Sequence, residues 1–522
     1  MRQPYYPIIY VRGYAMTRSE IDQTTADPFC GFNIGSTVFR ATADKAKPAR
    51  KFNFESPVVR LMTDFGYRDV FENGLDIMDS GWNAPIPARS IIVYHYYEQA
   101  STLLGTGKTP SMEDFAKGLS ALVGRVRELV CAAPVNEATP ENFRCHLVAH
   151  SMGGLVCRAF LQNPQLDPQG VRGCVDKVFT YATPHNGIEM AGLNVPSWLS
   201  LDDMSNFNRA RMAGYLNIDP ALYQRTGRVD WLPEAPVPVE RFFCMIGSNR
   251  GDYDVAMGLS RAFSGHGGDG LVKIENASVW AAEDGRPAPR AYAFRSHSGY
   301  FGIVNSEESY QNLIRFLFGD VRIDIWADVS QVRLPPKLKA AADNGKAVDA
   351  NYLFELAASP RGRLWQLTRR KAEEDSAACR SHADLAAARP DKPCGVYLST
   401  VYLGTGPFWR SVKARTSLGY CAILSVTVPN YEVENAFWLD DHFEGCALYR
   451  DALQVEMLPP EAEEGDWTVT CVWESRPSDP RTTTVPAAAV LAGGWSLSLP
   501  FDNDHAPGLS GALRFVVSAW NV

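Results

Sequence analysis

The chain has 522 residues, 46% hydrophobic and 21% charged, with a formal net charge of -8. That length exceeds one ordinary hydrophobic core and predicts two domains, and the composition excludes a disordered or collagen-like chain. The acidic balance lacks the basic stripe of a nucleic-acid binder, so no nucleic-acid partner is expected.

The 11 cysteines are scattered and form no CxxC pair. Cys145, Cys157 and Cys244 lie in apolar runs, where a free thiol behaves as a small hydrophobe. This usage predicts reduced cysteines, and with no metal-spaced cluster of ligands neither a metal nor a cofactor is expected. The opening Met1-Arg2-Gln3-Pro4-Tyr5-Tyr6 has neither the basic nor the apolar region of a secretory signal. The expected location is cytoplasmic, or outside the cell by a route needing no cleavable signal peptide. The longest apolar stretch, 487–501, is broken by Gly493, Gly494 and Pro500 and reads as strand and turn.

In chain order, Pro7 to Val11 is a short buried-strand run. Ser90 to Tyr96 is β-branched and aromatic, again strand-like. Phe115, Leu119, Leu122, Val126, Leu129 and Val130 recur at helical spacing, with Ser111 placed to cap and Asp114 three residues later. Strand Arg144 to Val148, helix Leu155 to Leu161 and strand Asp176 to Tyr181 follow. Further strands are expected at Phe242 to Ile246 and Ala291 to Phe294, and a last helix at Glu308 to Leu317. This alternation predicts a mainly parallel sheet with helices on both faces. Near Gly319-Asp320 the rhythm changes to short alternating strands, such as Val396 to Leu403, Cys421 to Val428, Trp467 to Trp473, Trp495 to Leu499 and Leu513 to Val517. They predict a β-sandwich over 320–522.

Leu147-Val148-Ala149-His150-Ser151-Met152-Gly153-Gly154-Leu155 carries the chemistry. A serine on a tight strand-to-helix turn is forced outward, and the residues two before and two after it must be small. Ala149 and Gly153 meet that demand. The following helix aims its first N–H groups at the serine, with Met152 N–H suited to an oxyanion. A serine here also serves as an ordinary helix cap. The apolar strand, the preceding histidine and the double glycine together favour a nucleophile.

The segment resembles the nucleophile elbow of bacterial triacylglycerol lipases and of GPI-inositol-deacylase-like serine esterases, within the α/β-hydrolase superfamily. The resemblance covers roughly residues 7–317. It implies an α/β-hydrolase domain over 1–319, with a cap or lid insertion at about 187–237. In this fold the order is serine, acid, histidine. His297, after the last strand and before the last helix, is the expected base, with His266 the other histidine in range. Gly268-Asp269-Gly270-Leu271-Val272 is similar to the acid-bearing segment of many lipases, so Asp269 is the expected acid, with Asp252 and Asp254 in reserve. Val11-Arg12-Gly13-Tyr14 resembles the lipase oxyanion loop with Arg in place of His. The match makes Tyr14 N–H the second donor. The Arg12 cation would bind a substrate phosphate or carboxylate, or pair with a buried carboxylate and hold the loop.

His185, in Thr183-Pro184-His185-Asn186-Gly187, resembles a lipase signature and is expected on the pocket wall; His150 and Trp198 are also placed at the substrate. The insertion is apolar, with Trp198, Met204, Phe207, Met212 and Tyr215. It reads equally as a lid that opens at a lipid surface or as a packed cap. Leu104 to Thr109 mimics a phosphate loop, but Thr102 stands where its first glycine belongs and Pro110 follows, so no nucleotide site is expected. The expected function is a serine carboxylic-ester hydrolase acting on a lipid or other hydrophobic ester, with transient contact at a membrane surface. A phospholipase exported without a leader, or a binding and delivery protein with a vestigial hydrolase, are the alternatives. For the β-rich region the sequence names no protein partner; Trp409, Phe437 and Trp438 are contact candidates or core residues.

Overall fold

The computed structural model describes residues 5–13, 36–40, 50–54, 56–70, 76–94, 96, 110–190, 193–194, 204–249, 268–298, 302–361, 363, 365–370, 378–404, 417–433, 443–458, 465–486 and 494–521. The chain divides into two compact units, one built on 3–290 with 295–313, the other on 314–522 with 291–294.

Seven strands form one sheet: β1 (Ile8–Val11), β2 (Arg68–Asp69), β3 (Ser90–Tyr94), β4 (Cys145–His150), β5 (Val175–Tyr181), β6 (Phe242–Gly247) and β7 (Arg290–Ala293). Their order is β7-β6-β5-β4-β1-β3-β2. The pairs β2–β3, β3–β1, β1–β4, β4–β5 and β5–β6 are parallel. β1, β4 and β6 are buried along their whole length. That is why they read as continuous apolar runs and not as alternation. The chain leaves β1 toward β3 on one side, and β4 to β7 build the other. β1 and β4 thus flank the switch point, where an α/β sheet opens a crevice at the strand C-termini.

The helices follow from local signals. α1 (Pro57–Phe65) starts at Ser56, whose side chain accepts from Val58 and Val59, and stops at Gly66 in the left-handed region. α2 (Met112–Cys131) has the expected Ser111–Asp114 capping box and buries the predicted stripe. α3 (Met152–Gln162) is buried along its length.

The insertion between β5 and β6 contains α4 (Arg209–Tyr215) and α5 (Pro220–Thr226), and its Trp231–Leu232 segment pairs in parallel with Trp280–Ala281. Its described part from 204 to 237 is a packed wall, because a buried cation holds it. Arg158 of α3 is wholly buried. Its guanidinium donates to Gln162 Oε1 at 2.8 Å, to the His185 carbonyl at 2.8 Å, and to the carbonyls of Val229 and Trp231 at 2.7 and 2.9 Å. Gln162 in turn donates to the carbonyls of Leu216 and Trp231. Burial draws the Arg158 pKa down to about 10, against the pull of the buried Asp230. Arg158 thus ties this part of the insertion to α3; Trp198 lies outside the described residues.

The second unit takes in the end of α6 (Glu307–Phe318) and is a two-sheet antiparallel sandwich. One sheet contains β8 (Val321–Arg333), β12 (Cys394–Leu403), β17 (Trp495–Asp502) and β18 (Gly508–Ala519), in the order β12-β8-β18-β17. The other runs β10-β9-β13-β14-β15-β16, with β11 also on β9. Its members are β9 (Val348–Pro360), β10 (Thr368–Arg370), β11 (Cys379–Ser381), β13 (Leu418–Val433), β14 (Phe443–Leu458), β15 (Trp467–Trp473) and β16 (Arg481–Val485). Ile323, Ile325 and Leu513 from the first sheet share one core with Tyr352, Phe354 and Leu424 from the second. The expectation of short strands needs correction, because β13 and β14 have 16 residues each. A register shift at Val426/Thr427 between β13 and β14, with others at Ile325/Trp326 and Val329/Gln331 in β8 and at Ala350/Leu353 in β9, interrupts the alternation, so long strands read as several short ones.

Arg158→Leu should therefore unfold at a lower urea midpoint, losing about 3 kcal/mol, since the buried carbonyls of His185 and Val229 lose their donor and that of Trp231 loses one of two. A change under about 0.5 kcal/mol would remove Arg158 as the anchor of the cap.

Candidate active site

Ser151 forms the single-residue joint between β4 and α3. Its backbone sits at φ 51 and ψ -127, a positive φ in a residue with a side chain. Such strain costs about 1–3 kcal/mol and persists only where neighbours impose it. Ser151 N donates to the Tyr181 carbonyl at 3.0 Å, tying the joint to β5. The double glycine is a steric requirement. A Cβ on Gly153 would stand 2.2 Å from the Val11 carbonyl oxygen, and one on Gly154 would stand 2.2 Å from Thr183 Oγ1. The helix-cap reading of Ser151 is corrected, because its side chain makes no capping hydrogen bond. Instead Ser151 Oγ lies 2.9 Å from His297 Nε2.

The other nitrogen of His297, Nδ1, lies 2.9 Å from Asp269 Oδ2. An ionised carboxylate only accepts, so Nδ1 carries the proton in neutral His297 and leaves Nε2 free to accept from the serine hydroxyl. Asp269 is held by its loop: Oδ1 accepts from the N–H groups of Leu271 and Val272 at 3.0 and 2.8 Å. All three side chains are buried. The structure thus brings Ser151, His297 and Asp269 into one hydrogen-bonded line.

Met152 is the first residue of α3, so its N–H belongs to the first turn, where helix donors have no partner within the helix. Gly13 lies against the joint, and a Cβ there would meet Ser151 Cβ at 2.7 Å. Arg12 is half-buried, and its charge acts on His150. Tyr14, Asp252, Asp254, His266, Trp409, Phe437, Trp438 and the 104–109 loop lie outside the described residues.

Two expected pocket residues have other surroundings. His185 is wholly buried, 3.2 Å from Thr180 Oγ1 and edge-on to Phe242 at 5.5 Å between centroids. Its ring is packed in the core. His150 is also buried, with Nε2 2.9 Å from the His297 carbonyl oxygen.

Sequence reasoning missed the supports of the acid loop. A Cβ on Gly247, the last residue of β6, would come within 2.8 Å of Asp269 Cβ and 2.9 Å of the Arg295 carbonyl oxygen. Lys273, at the end of the loop, pairs with Glu189 at 3.0 Å, and Glu189 is also bonded by Arg209 of α4 at 2.5 Å. The two cations hold the Glu189 carboxyl below its ordinary range against the opposing effect of its burial. A glycine ending a strand was a usable signal; the Lys273–Glu189–Arg209 chain had none in the sequence.

Residues 95–193 match the family described as "PGAP1-like alpha/beta domain". Similar solved structures include the mature Bacillus licheniformis lipase BlEst2, at 13% identity, covering 61% of this chain and 94% of that chain with TM-score 0.30. The lin2722 product of Listeria innocua is 11% identical and covers 60% and 94%, with TM-score 0.27. Phospholipase PlaB from Legionella pneumophila is 11% identical and covers 85% and 90%, with TM-score 0.31. No curated relative matches the chain. The first unit is an α/β domain with a mainly parallel sheet, and the second is a β-rich domain. Among the described residues no helix is long and apolar enough to cross a membrane.

Three histidines of this unit are kept neutral. Burial is the first cause in each: it draws His146 down to about 3, helped by Lys177, and draws His150 and His185 well below the ordinary value, helped by His297 and Arg158 respectively. Below about pH 6.5 the unfolded chain protonates these residues while the native one does not. The unfolded state then binds more protons, so stability falls as pH drops through that region. The expected loss approaches about 4 kcal/mol per pH unit near pH 5, at one proton per histidine. Urea midpoints at pH 7.5, 6 and 5 check this, and a flat profile would contradict neutral burial.

Proposed function

We propose that this chain is a lipase-like serine hydrolase of hydrophobic carboxylic esters. The observation that carries the reading is the pair of 2.9 Å contacts linking Ser151 Oγ, His297 and Asp269 Oδ2, with Ser151 on the strained joint. In this reading Ser151 Oγ attacks the acyl carbon while its proton passes to His297 Nε2. Asp269 holds the Nδ1 tautomer and stabilises the imidazolium. The Met152 N–H, and by resemblance that of Tyr14, receive the developing oxyanion. His297 returns the proton to the departing alcohol. Water, deprotonated by the same nitrogen, then cleaves the acyl-enzyme, releasing the carboxylic acid and free Ser151.

The apolar insertion after Gly187 supports a hydrophobic acyl group over a charged or peptide substrate. A phospholipid substrate is favoured by one observation, the half-buried Arg12 cation beside the serine joint, which would suit a phosphate head group. Activity on phosphatidylglycerol exceeding that on a triacylglycerol of equal chain length, reversed in Arg12→Gln, is the expected result. Equal loss on both substrates would assign Arg12 to the loop.

Ser151→Ala should abolish hydrolysis of p-nitrophenyl acyl esters with the fold intact by circular dichroism. Asp269→Asn should lower kcat by about 10³–10⁴-fold through the wrong histidine tautomer. Retained turnover in Ser151→Ala would overturn the reading. Failure of the native protein to react with a fluorophosphonate probe would favour a binding protein with a vestigial site.

A further inference from the structure

We infer that His150 is a positioning residue for His297: wedged between Gly13 and the His297 peptide, its imidazole donates a hydrogen bond to the His297 carbonyl. That bond fixes the backbone from which the His297 ring reaches Ser151 and Asp269. The inference rests on the reading of Ser151, His297 and Asp269 as a catalytic set.

The His297 peptide is held on both sides. Its N–H donates to the Asp269 carbonyl at 3.0 Å, and its carbonyl accepts from His150 Nε2 at 2.9 Å. With both peptide groups fixed, the ring direction is left to the side-chain torsions, and the contacts to Asp269 and Ser151 select one rotamer. A carbonyl oxygen only accepts, so His150 carries its proton on Nε2 and presents Nδ1 toward Gly13, where an added Cβ would lie 3.1 Å away. The residue before the serine therefore joins the loop after β1 to the loop bearing His297. The two rings stand 5.0 Å apart between centroids. A charged His150 at that distance would oppose the imidazolium that His297 must become. Burial, His297 and Arg12 all keep it neutral. The same packing explains why His150 is not a second base: its Nε2 is committed to a backbone carbonyl and not to the serine hydroxyl.

The test compares three full-length variants. Gln places an amide donor near the position of Nε2, whereas Phe and Met fill the space without a donor. His150→Phe should lower kcat on a p-nitrophenyl ester about 10–100-fold with little change in KM, because displacement of a reacting group by about 1 Å costs that much. His150→Gln should recover most of the loss. His150→Met is the second donor-less variant should Phe fail to fold by circular dichroism. A second readout does not depend on turnover. In the Ser151→Ala background, the low-field proton NMR resonance of His297 Nδ1–H bonded to Asp269 should persist when His150 is retained and in His150→Gln. It should be lost in His150→Phe and His150→Met. An unchanged resonance in both donor-less variants would overturn the inference. So would wild-type kcat in either of them, or a His150→Gln variant as slow as His150→Phe. If Ser151→Ala keeps its esterase activity, the functional reading fails instead, and the resonance alone decides whether His150 positions His297.

Discussion

The backbone of Ser151 is the constraint on which the site depends. A parallel strand must turn into a helix within one residue, and the geometry that does so puts a side-chain-bearing residue at φ 51. The consequences spread outward. α3 is pressed against the end of β1, so no Cβ is tolerated at Gly153. It is pressed equally against Thr183 after β5, so none is tolerated at Gly154. The loop after β1 touches the joint, so Gly13 is excluded from bearing a side chain for the same reason. In return the hydroxyl stands clear of the helix and meets a ring delivered from 146 residues further along the chain.

That ring is delivered by loops, and loops need fastening before they place atoms to within a few tenths of an ångström. The acid loop is fastened by its own backbone donors to Asp269, by the absence of a side chain at Gly247, and by the Lys273–Glu189–Arg209 chain into the cap. The cap is itself fastened to α3 by the buried guanidinium of Arg158. α3 begins directly after Ser151 and bears Arg158 two turns on, so one helix both follows the hydroxyl-bearing joint and anchors the described part of the insertion. The cost is a buried cation and several neutral buried histidines, which link stability to pH.

The β-rich unit has a core of its own and buries its own cation, Arg370. Its two sheets meet through aliphatic and aromatic residues, and among its polar groups Arg514 pairs with Asp328. Its long strands bend at bulges, which keeps a two-sheet core closed over strands of up to 16 residues.

The order of strands and helices, the capping of α2, and the strand-serine-helix joint were legible in the sequence. Each depends on neighbours in the chain: apolar runs for strands buried on both faces, helical spacing for α2, small residues around a tight turn. Ser151, Asp269 and His297 were nominated by motif and chain order, but no local rule states that they touch. Only the tertiary structure decided that, because the distances depend on where separate strands end at one rim of the sheet. It also packed His185 into the core, tied the described part of the insertion to α3 through Arg158, and gave His150 a backbone carbonyl as its partner. Those outcomes are set by burial and by contacts between residues far apart in sequence, which periodicity and composition do not encode. The length of the sandwich strands escaped for a related reason: a bulge is a mismatch between two strands, and each strand read alone shows only a broken alternation.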